Sequence, residues 1–225
     1  DAQGLITDRR AGRISTDTCI KLCDLLRQIK VPGVEVFVEP VKEHRFVLVL
    51  RGAGLDDHLT ESDPQRLGVA PLDVQPTTAK AKKTAELVNA FAREARRVLA
   101  PHHPANMVVL RGFAKHPDML TLQQLYGLNP AAIAVYPMYK GLATLAGMKI
   151  LPITKSPGGS GSTIAEELLT LADNFQAFDF FFMHIKGTDS AGEDGDFARK
   201  VSVIEEVDRH IPELLNFAYD FDTEY

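Results

Sequence analysis

Four carboxyl groups fall within eight residues of one another at Asp189, Glu193, Asp194 and Asp196, inside the stretch His184-Ile-Lys-Gly-Thr-Asp-Ser-Ala-Gly-Glu-Asp-Gly-Asp196. Packed together, such groups repel unless a cation or a proton comes between them. Hard divalent cations take oxygen ligands of this kind. The glycines at 187, 192 and 195 let the backbone turn between the acids. A plainer role competes, because acids ahead of a helix also cap it and complement its dipole. The EF-hand calcium pattern fails: with Gly195 in its glycine position, the first and third ligand positions are Ser190 and Gly192.

Cationic side chains form the second set. Arg9 or Arg10 together with Arg13 can make a clamp for an anion, since guanidinium groups bind phosphate and carboxylate bidentately. Arg51 and Arg111 each follow an apolar run and precede a glycine, which puts a charge at a strand end beside a permissive turn. Surface salt bridges are the alternative for each. Lys140 follows Tyr136-Pro-Met-Tyr139 and is either a cation offered to a phosphate or a helix-surface lysine. Lys186 either neutralises the acidic site or pairs with Asp189. His184 reads as a packed, hydrogen-bonded histidine, and the remaining histidines show no metal-ligand spacing.

The elements that must carry these residues follow from periodicity. Ser15 or Thr16 caps a helix reaching about residue 29, stopped by Val31-Pro32-Gly33. Segments 34–38 and 45–50 are rich in valine and read as an antiparallel hairpin. The loop 51–72 is long enough to suggest function. A helix over about 79–99 opens at Thr77 or Thr78, and its lysines and arginines form a solvated face. Met107–Leu110 reads as a short strand. From about 128–130 the pattern changes to strand 131–135, helix 137–147, strand 149–151, helix 163–174, strand 179–185 and helix 196–215, which is the grammar of a parallel α/β layer. The acidic stretch then lies at the carboxyl end of a strand, where such sheets bind ligands. Ser156–Ser162 is rich in glycine and serine but lacks the P-loop lysine, and reads as a flexible loop.

The 225 residues carry 45% hydrophobic and 24% charged residues, enough to bury a core, with a net charge of −5 that argues against nucleic acid as a partner. No apolar run reaches about 18 residues, so no membrane span is expected. Cys19 and Cys23 lie four apart on one helix face and read as structural thiols in a reducing compartment.

Several stretches in order, Thr7-Asp-Arg-Arg-Ala-Gly-Arg-Ile14, Leu50-Arg-Gly52, Ser62-Asp-Pro64, Tyr126-Gly-Leu128, Tyr136-Pro-Met-Tyr-Lys-Gly141 and the 184–196 stretch followed by Lys200, Ile204-Glu205 and Asp208, resemble the archaeal-type cofactor-independent phosphoglycerate mutases of the alkaline phosphatase superfamily. The resemblance implies an α/β fold: part of an alkaline-phosphatase-like domain (129–225) with an inserted α+β phosphotransferase domain that binds substrate (1–128). It implies interconversion of 3-phosphoglycerate and 2-phosphoglycerate through a phosphoserine, in the cytoplasm, without 2,3-bisphosphoglycerate. Arg9, Arg10, Arg13, Arg51 and Arg111 would hold the substrate and Asp63 its hydroxyls, with Asp8 orienting an arginine. Lys140 and Lys186 would be catalytic. Two divalent ions, Mn²⁺ or Mg²⁺, would take Asp189 and Glu193 as ligands here, with the other ligands and the serine outside these residues. The chain is therefore expected to be an internal fragment, inactive alone. Glu193 departs from the family, which commonly places a histidine there. Asp194 and Asp196 are expected to cap or support. Another metal-dependent phosphotransferase or phosphohydrolase of the superfamily, or a non-catalytic phosphometabolite-binding module, are the alternatives.

Overall fold

The computed structural model describes residues 1–156 and 163–221, with side chains to residue 216. The chain divides into two compact units, Asp1–Pro117 and Asp118–Tyr225. Among the described residues no helix is long and apolar enough to cross a membrane.

In the first unit, α1 (Thr16–Leu26) starts where the Ser15 side chain accepts the Thr18 amide. It turns Cys19, Leu22, Cys23 and Leu26 inward. Strands β1 (Glu35–Pro40) and β2 (Phe46–Arg51) pair antiparallel, from Glu35 opposite Arg51 to Pro40 opposite Phe46. Val38 is fully buried, one face of the hairpin covered by the core and the other exposed. A 3-10 turn at Ala79–Ala81 leads into α2 (Lys82–Leu99), whose stripe Ala85, Val88, Phe91, Ala95 and Leu99 completes that core. Asn89 clamps the loop ahead of it, accepting the Val74 amide and donating to the Val74 carbonyl, each at 2.9 Å. Helix α1 ends three residues earlier than its periodicity suggests, as residues 27–29 tighten into turns. Residues 107–110 do not form the expected strand; they find one backbone neighbour rather than a ladder.

The second unit is a parallel α/β layer. Helix α3 (Leu122–Tyr126) begins with a capping box between Thr121 and Gln124. Then follow β3 (Pro130–Ala134), α4 (Pro137–Leu145), β4 (Lys149–Ile150), α5 (Ile164–Asn174), β5 (Phe180–His184), α6 (Gly187–Glu193) and α7 (Phe197–Phe221). The sheet order is β4-β3-β5, all parallel. Central β3 is buried along its whole length, which explains its unbroken apolar sequence. Ile133, Leu151, Ile164, Leu168 and Leu171 make its core, with Phe181, Met183, Val207 and Leu214 against them. The units part at 117/118, ahead of the change of pattern near 128, because α3 ties back into the second unit: Leu122 donates to the Ala146 carbonyl at 3.0 Å.

Helix α6 was not expected. Of the three glycines expected to turn the backbone here, Gly187 and Gly192 are helical and only Gly195, beyond α6, has a left-handed backbone (φ 69°). At Gly187 a Cβ would lie 3.0 Å from a Val203 methyl, so the missing side chain serves the close packing of α6 on α7. The expected loop 156–162 lies, apart from Ser156, outside the described residues.

Candidate functional site

Asp63 is the anchor of the first unit's site. Ser62 pairs with Leu110 in both directions, its amide donating to the Leu110 carbonyl at 2.9 Å and its hydroxyl oxygen accepting the Leu110 amide at 2.6 Å. That bridge brings Asp63, the next residue, beside Arg111. The Asp63 carboxylate is 4% exposed and accepts Arg9 Nε at 3.0 Å and an Arg9 Nη at 2.6 Å, the planar fork that two parallel N–H bonds allow. An Arg111 Nη lies 3.9 Å away, and the Gln65 amide donates at 2.9 Å. Arg9 above all holds the Asp63 carboxyl below the usual carboxylate range, with the Gln65 amide adding to it.

Asp8 shapes the turn that presents the arginines. Its oxygens accept the Arg10 amide at 2.6 Å and the Gly12 amide at 2.9 Å, so among the described residues its hydrogen bonds go to backbone rather than to an arginine side chain. Those bonds hold a 3-10 turn in which Ala11, Gly12 and Arg13 all have positive φ. Arg10 and Arg13 are exposed on it. Arg51 is engaged within the hairpin instead, 3.8 Å from Glu35 on the opposite strand and over the Phe37 ring at 4.8 Å. The structure thus joins Arg9 and Arg111 through Asp63, places Arg10 and Arg13 on the adjoining turn, and holds Arg51 on the hairpin face.

In the second unit the candidates gather where β3 and β5 end. Tyr136 and Tyr139 follow β3; His184 ends β5, and Lys186 and Asp189 follow it. Tyr139 stacks on His184 with ring centroids 3.4 Å apart, and Tyr136 lies 6.2 Å from Tyr139. Lys186 Nζ is 5.1 Å from the Tyr136 ring centre and pairs with the Asp189 carboxylate. His184 is packed as expected, but its Nδ1 has no hydrogen-bond partner among the described residues. Burial, and then the Lys186 charge, lower its proton affinity. Lys140 is half-buried in the first turn of α4, its amide donating to the Tyr136 carbonyl at 3.3 Å. Asp196 caps α7 by accepting the Arg199 amide at 2.9 Å, and Asp194 pairs with the Arg199 guanidinium at 2.9 Å.

Asp189 and Glu193 stand four apart on α6, so both carboxylates leave the same side of one helical turn. As donors they suit a hard divalent ion, though two oxygens are a minority of the six or more that such an ion takes. Among the described residues, one group of three potential metal ligands comes together: Asp56, Asp57 and His58 in the first unit. That group already surrounds a cation. Lys115 Nζ lies 3.3 Å from Asp56 and 3.6 Å from Asp57, and the His58 amide and ring bring the Asp56 carboxyl down to about 2. The reading by motif missed it; its clue was the run of acids and histidine in a loop already marked as long.

Glu167 was missed as well. It is 3% exposed in the first turn of α5, its Oε2 has no partner among the described residues, and burial pushes its carboxyl up to about 7. Its neighbour Glu166 is satisfied by Ser156 and Thr163. His44, at the hairpin tip, is similar in kind: Nδ1 is buried without a partner among the described residues, and burial lowers its proton affinity. Neither carries a spacing signal in sequence.

Known proteins share this chain's sequence and fold. Residues 1–106 match the family model of 2,3-bisphosphoglycerate-independent phosphoglycerate mutase. A probable 2,3-bisphosphoglycerate-independent phosphoglycerate mutase of Thermotoga neapolitana is 43% identical over 213 residues, covering 94% of this chain and 51% of the relative. A protein of the same description from Thermus thermophilus is 40% identical over 222 residues, covering 98% and 54%. Among solved structures, the cofactor-independent phosphoglycerate mutase from Thermoplasma acidophilum aligns with a TM-score of 0.62 at 28% identity, over 95% of this chain and 58% of that one. PH0037 protein from Pyrococcus horikoshii aligns at 0.68 over 91% of this chain and 51% of that one; at 19% identity that likeness shows the fold alone. The chain spans about half the length of the curated relatives it matches. The likeness is to 2,3-bisphosphoglycerate-independent phosphoglycerate mutases, by family model over residues 1–106 and by relatives over nearly all of this chain.

Proposed function

We propose that these residues are the substrate-holding part and a portion of the metal-bearing part of an enzyme that interconverts 3-phosphoglycerate and 2-phosphoglycerate without 2,3-bisphosphoglycerate. The observation that carries this reading is the arginine pair fixed on a buried carboxylate, Arg9 and Arg111 on Asp63. An anion that must turn over without leaving needs cations already in place, because their ordering is then not a cost of each cycle. Arg9 spends two N–H donors on Asp63 and keeps the rest for substrate, with Arg10 and Arg13 on the adjoining turn and Arg51 on the hairpin as further anion contacts. Asp63 accepts three N–H bonds, and a carboxylate has about four acceptor sites. One remains for a glycerate hydroxyl.

In this reading the second unit is part of an alkaline-phosphatase-like domain. Lys140 and Lys186 present cations to the transferring phosphoryl group. Asp189 and Glu193 are this chain's ligands for two divalent ions, Mn²⁺ or Mg²⁺, which when bound neutralise phosphoryl charge. A glutamate in place of the family's histidine makes the donor set harder. The serine that takes the phosphate lies outside these residues, so the 225 residues by themselves turn over no phosphoglycerate. Buried free thiols at Cys19 and Cys23, with Cys23 pushed up to about 12, suit a reducing cytoplasm. The test is the whole protein with 3-phosphoglycerate and Mn²⁺, free of 2,3-bisphosphoglycerate. Wild type is expected to form 2-phosphoglycerate, and Arg9→Ala to raise KM about tenfold or more. Unchanged kinetics in Arg9→Ala would remove the arginine cluster from the account.

A further inference from the structure

The second unit holds the candidate cation Lys186 from two sides. Its side chain is 21% exposed, so it is partly withdrawn from water. On one side stands the Asp189 carboxylate, and on the other the Tyr136 ring, whose centre is 5.1 Å from Nζ. An ammonium within about 6 Å of a ring centre is drawn to the ring's negative face, more strongly as water is excluded. Tyr136 is the residue before Pro137, which starts α4, and a proline at the first helical position fixes where the preceding residue's backbone points. The partner element is fixed too. Tyr139, one turn along from Tyr136, stacks on His184, the last residue of β5, two residues before Lys186. Two aromatic contacts therefore tie the start of α4 to the end of β5.

We propose that Tyr136 is a positioning residue for Lys186: its ring face and the Asp189 carboxylate together set where the ammonium stands, and the Tyr139–His184 stack fixes the strand end that carries it. The inference rests on the proposed role of Lys186 beside the transferring phosphate for its consequence, but not for its geometry. Asp189 alone could not set the position, because its carboxylate is half exposed and rotates with its own side chain. The ring belongs to the residue that leads into α4, whose first turn the Tyr139–His184 stack ties to the end of β5.

Two readouts on the whole protein separate the parts. The first is the rate at which an amine-reactive reagent labels Lys186, followed by peptide mass spectrometry. Tyr136→Leu is expected to raise that rate about threefold, the loss of one cation–π contact, while Tyr136→Phe, which keeps the ring face, leaves it unchanged. The second is phosphoglycerate turnover, where Tyr136→Leu is expected to lower kcat with little change in KM and Tyr136→Phe to restore it. Equal labelling of Lys186 in wild type and Tyr136→Leu overturns the positioning. Faster labelling with unaltered turnover upholds the positioning and removes Lys186 from the reaction. Should Tyr136→Leu not fold, fluorinated phenylalanines at 136 keep the shape while draining the ring face. Labelling should then rise with each added fluorine, and a flat series overturns the proposal.

Discussion

Replacing Glu167 by glutamine should stabilise the second unit above neutral pH and do little below pH 5. Glu167 is buried, its Oε2 is unpartnered among the described residues, and burial raises its carboxyl from the ordinary 4.5 to about 7. The fold therefore favours the protonated form. Below pH 4.5 both folded and unfolded chains hold that proton, and the full stability is present. As pH rises toward 7, the unfolded chain releases the proton while the folded one keeps it, and stability falls. Beyond pH 7 the loss is complete, at about 3 kcal/mol, from 1.36 kcal/mol for each tenfold difference in proton affinity. Glutamine keeps the shape and cannot ionise. At pH 8 it should recover most of that amount, or roughly 10 °C in melting temperature for a unit of this size. The readout is at hand: all five tyrosines, at 126, 136, 139, 219 and 225, fall in the second unit, and the chain has no tryptophan. Tyrosine fluorescence during thermal unfolding at pH 5, 6, 7 and 8 reports that unit alone. Parallel wild-type and Glu167→Gln curves across that range would refute the reasoning, because they would mean that the carboxyl is not held neutral by the fold.

Three more expectations follow from single contacts. Gly147 has φ 81°, and an added Cβ would stand 2.5 Å from Thr121 Cβ, so Gly147→Ala should cost the second unit about 2 kcal/mol or more in chemical unfolding. Thr121 cannot swing away without losing the Gln124 amide that it caps. Asp63→Ala should destabilise the first unit by about 2 kcal/mol, below the range for a fully buried pair because Arg9 is 30% exposed, and should raise KM for phosphoglycerate in the whole protein. Glu193→Gln should weaken Mn²⁺ binding by about tenfold in calorimetry.

The parts of the fold that sequence exposed are those where one face of an element is buried. Alternation at Val36, Val38, Leu48 and Leu50 marked the hairpin, and the stripe from Ala85 to Leu99 marked α2. Unbroken apolar runs marked β3 and β5. Elements held by something other than a periodic face escaped. Helix α6 is a seven-residue helix with two glycines, formed because α7 packs on it. Residues 107–110 are apolar enough for a strand, yet their pairing comes from Ser62, 48 residues away. The site follows the same division. Asp63 and Arg9 could be named from their motifs, but their union spans 54 residues, with Ile6 ahead of Arg9 bonded to Gly68 and Val69 beyond Asp63. No spacing in the sequence pairs Tyr136 and Tyr139 with the end of β5; the fold brings them there. Nothing in the sequence separates Glu167 from its equally buried neighbour Glu166; the Oε2 without a partner among the described residues sets it apart.

The central claim is best tested by phosphorus NMR of the whole protein with Mn²⁺ and 3-phosphoglycerate, in the absence of 2,3-bisphosphoglycerate. Growth of the 2-phosphoglycerate signal to the same ratio reached from the other isomer, with little inorganic phosphate, is the result expected of this chain's arginine cluster and lysines. Steady release of inorganic phosphate would make the protein a phosphohydrolase. No change in either signal, with the metal bound, would contradict the account altogether.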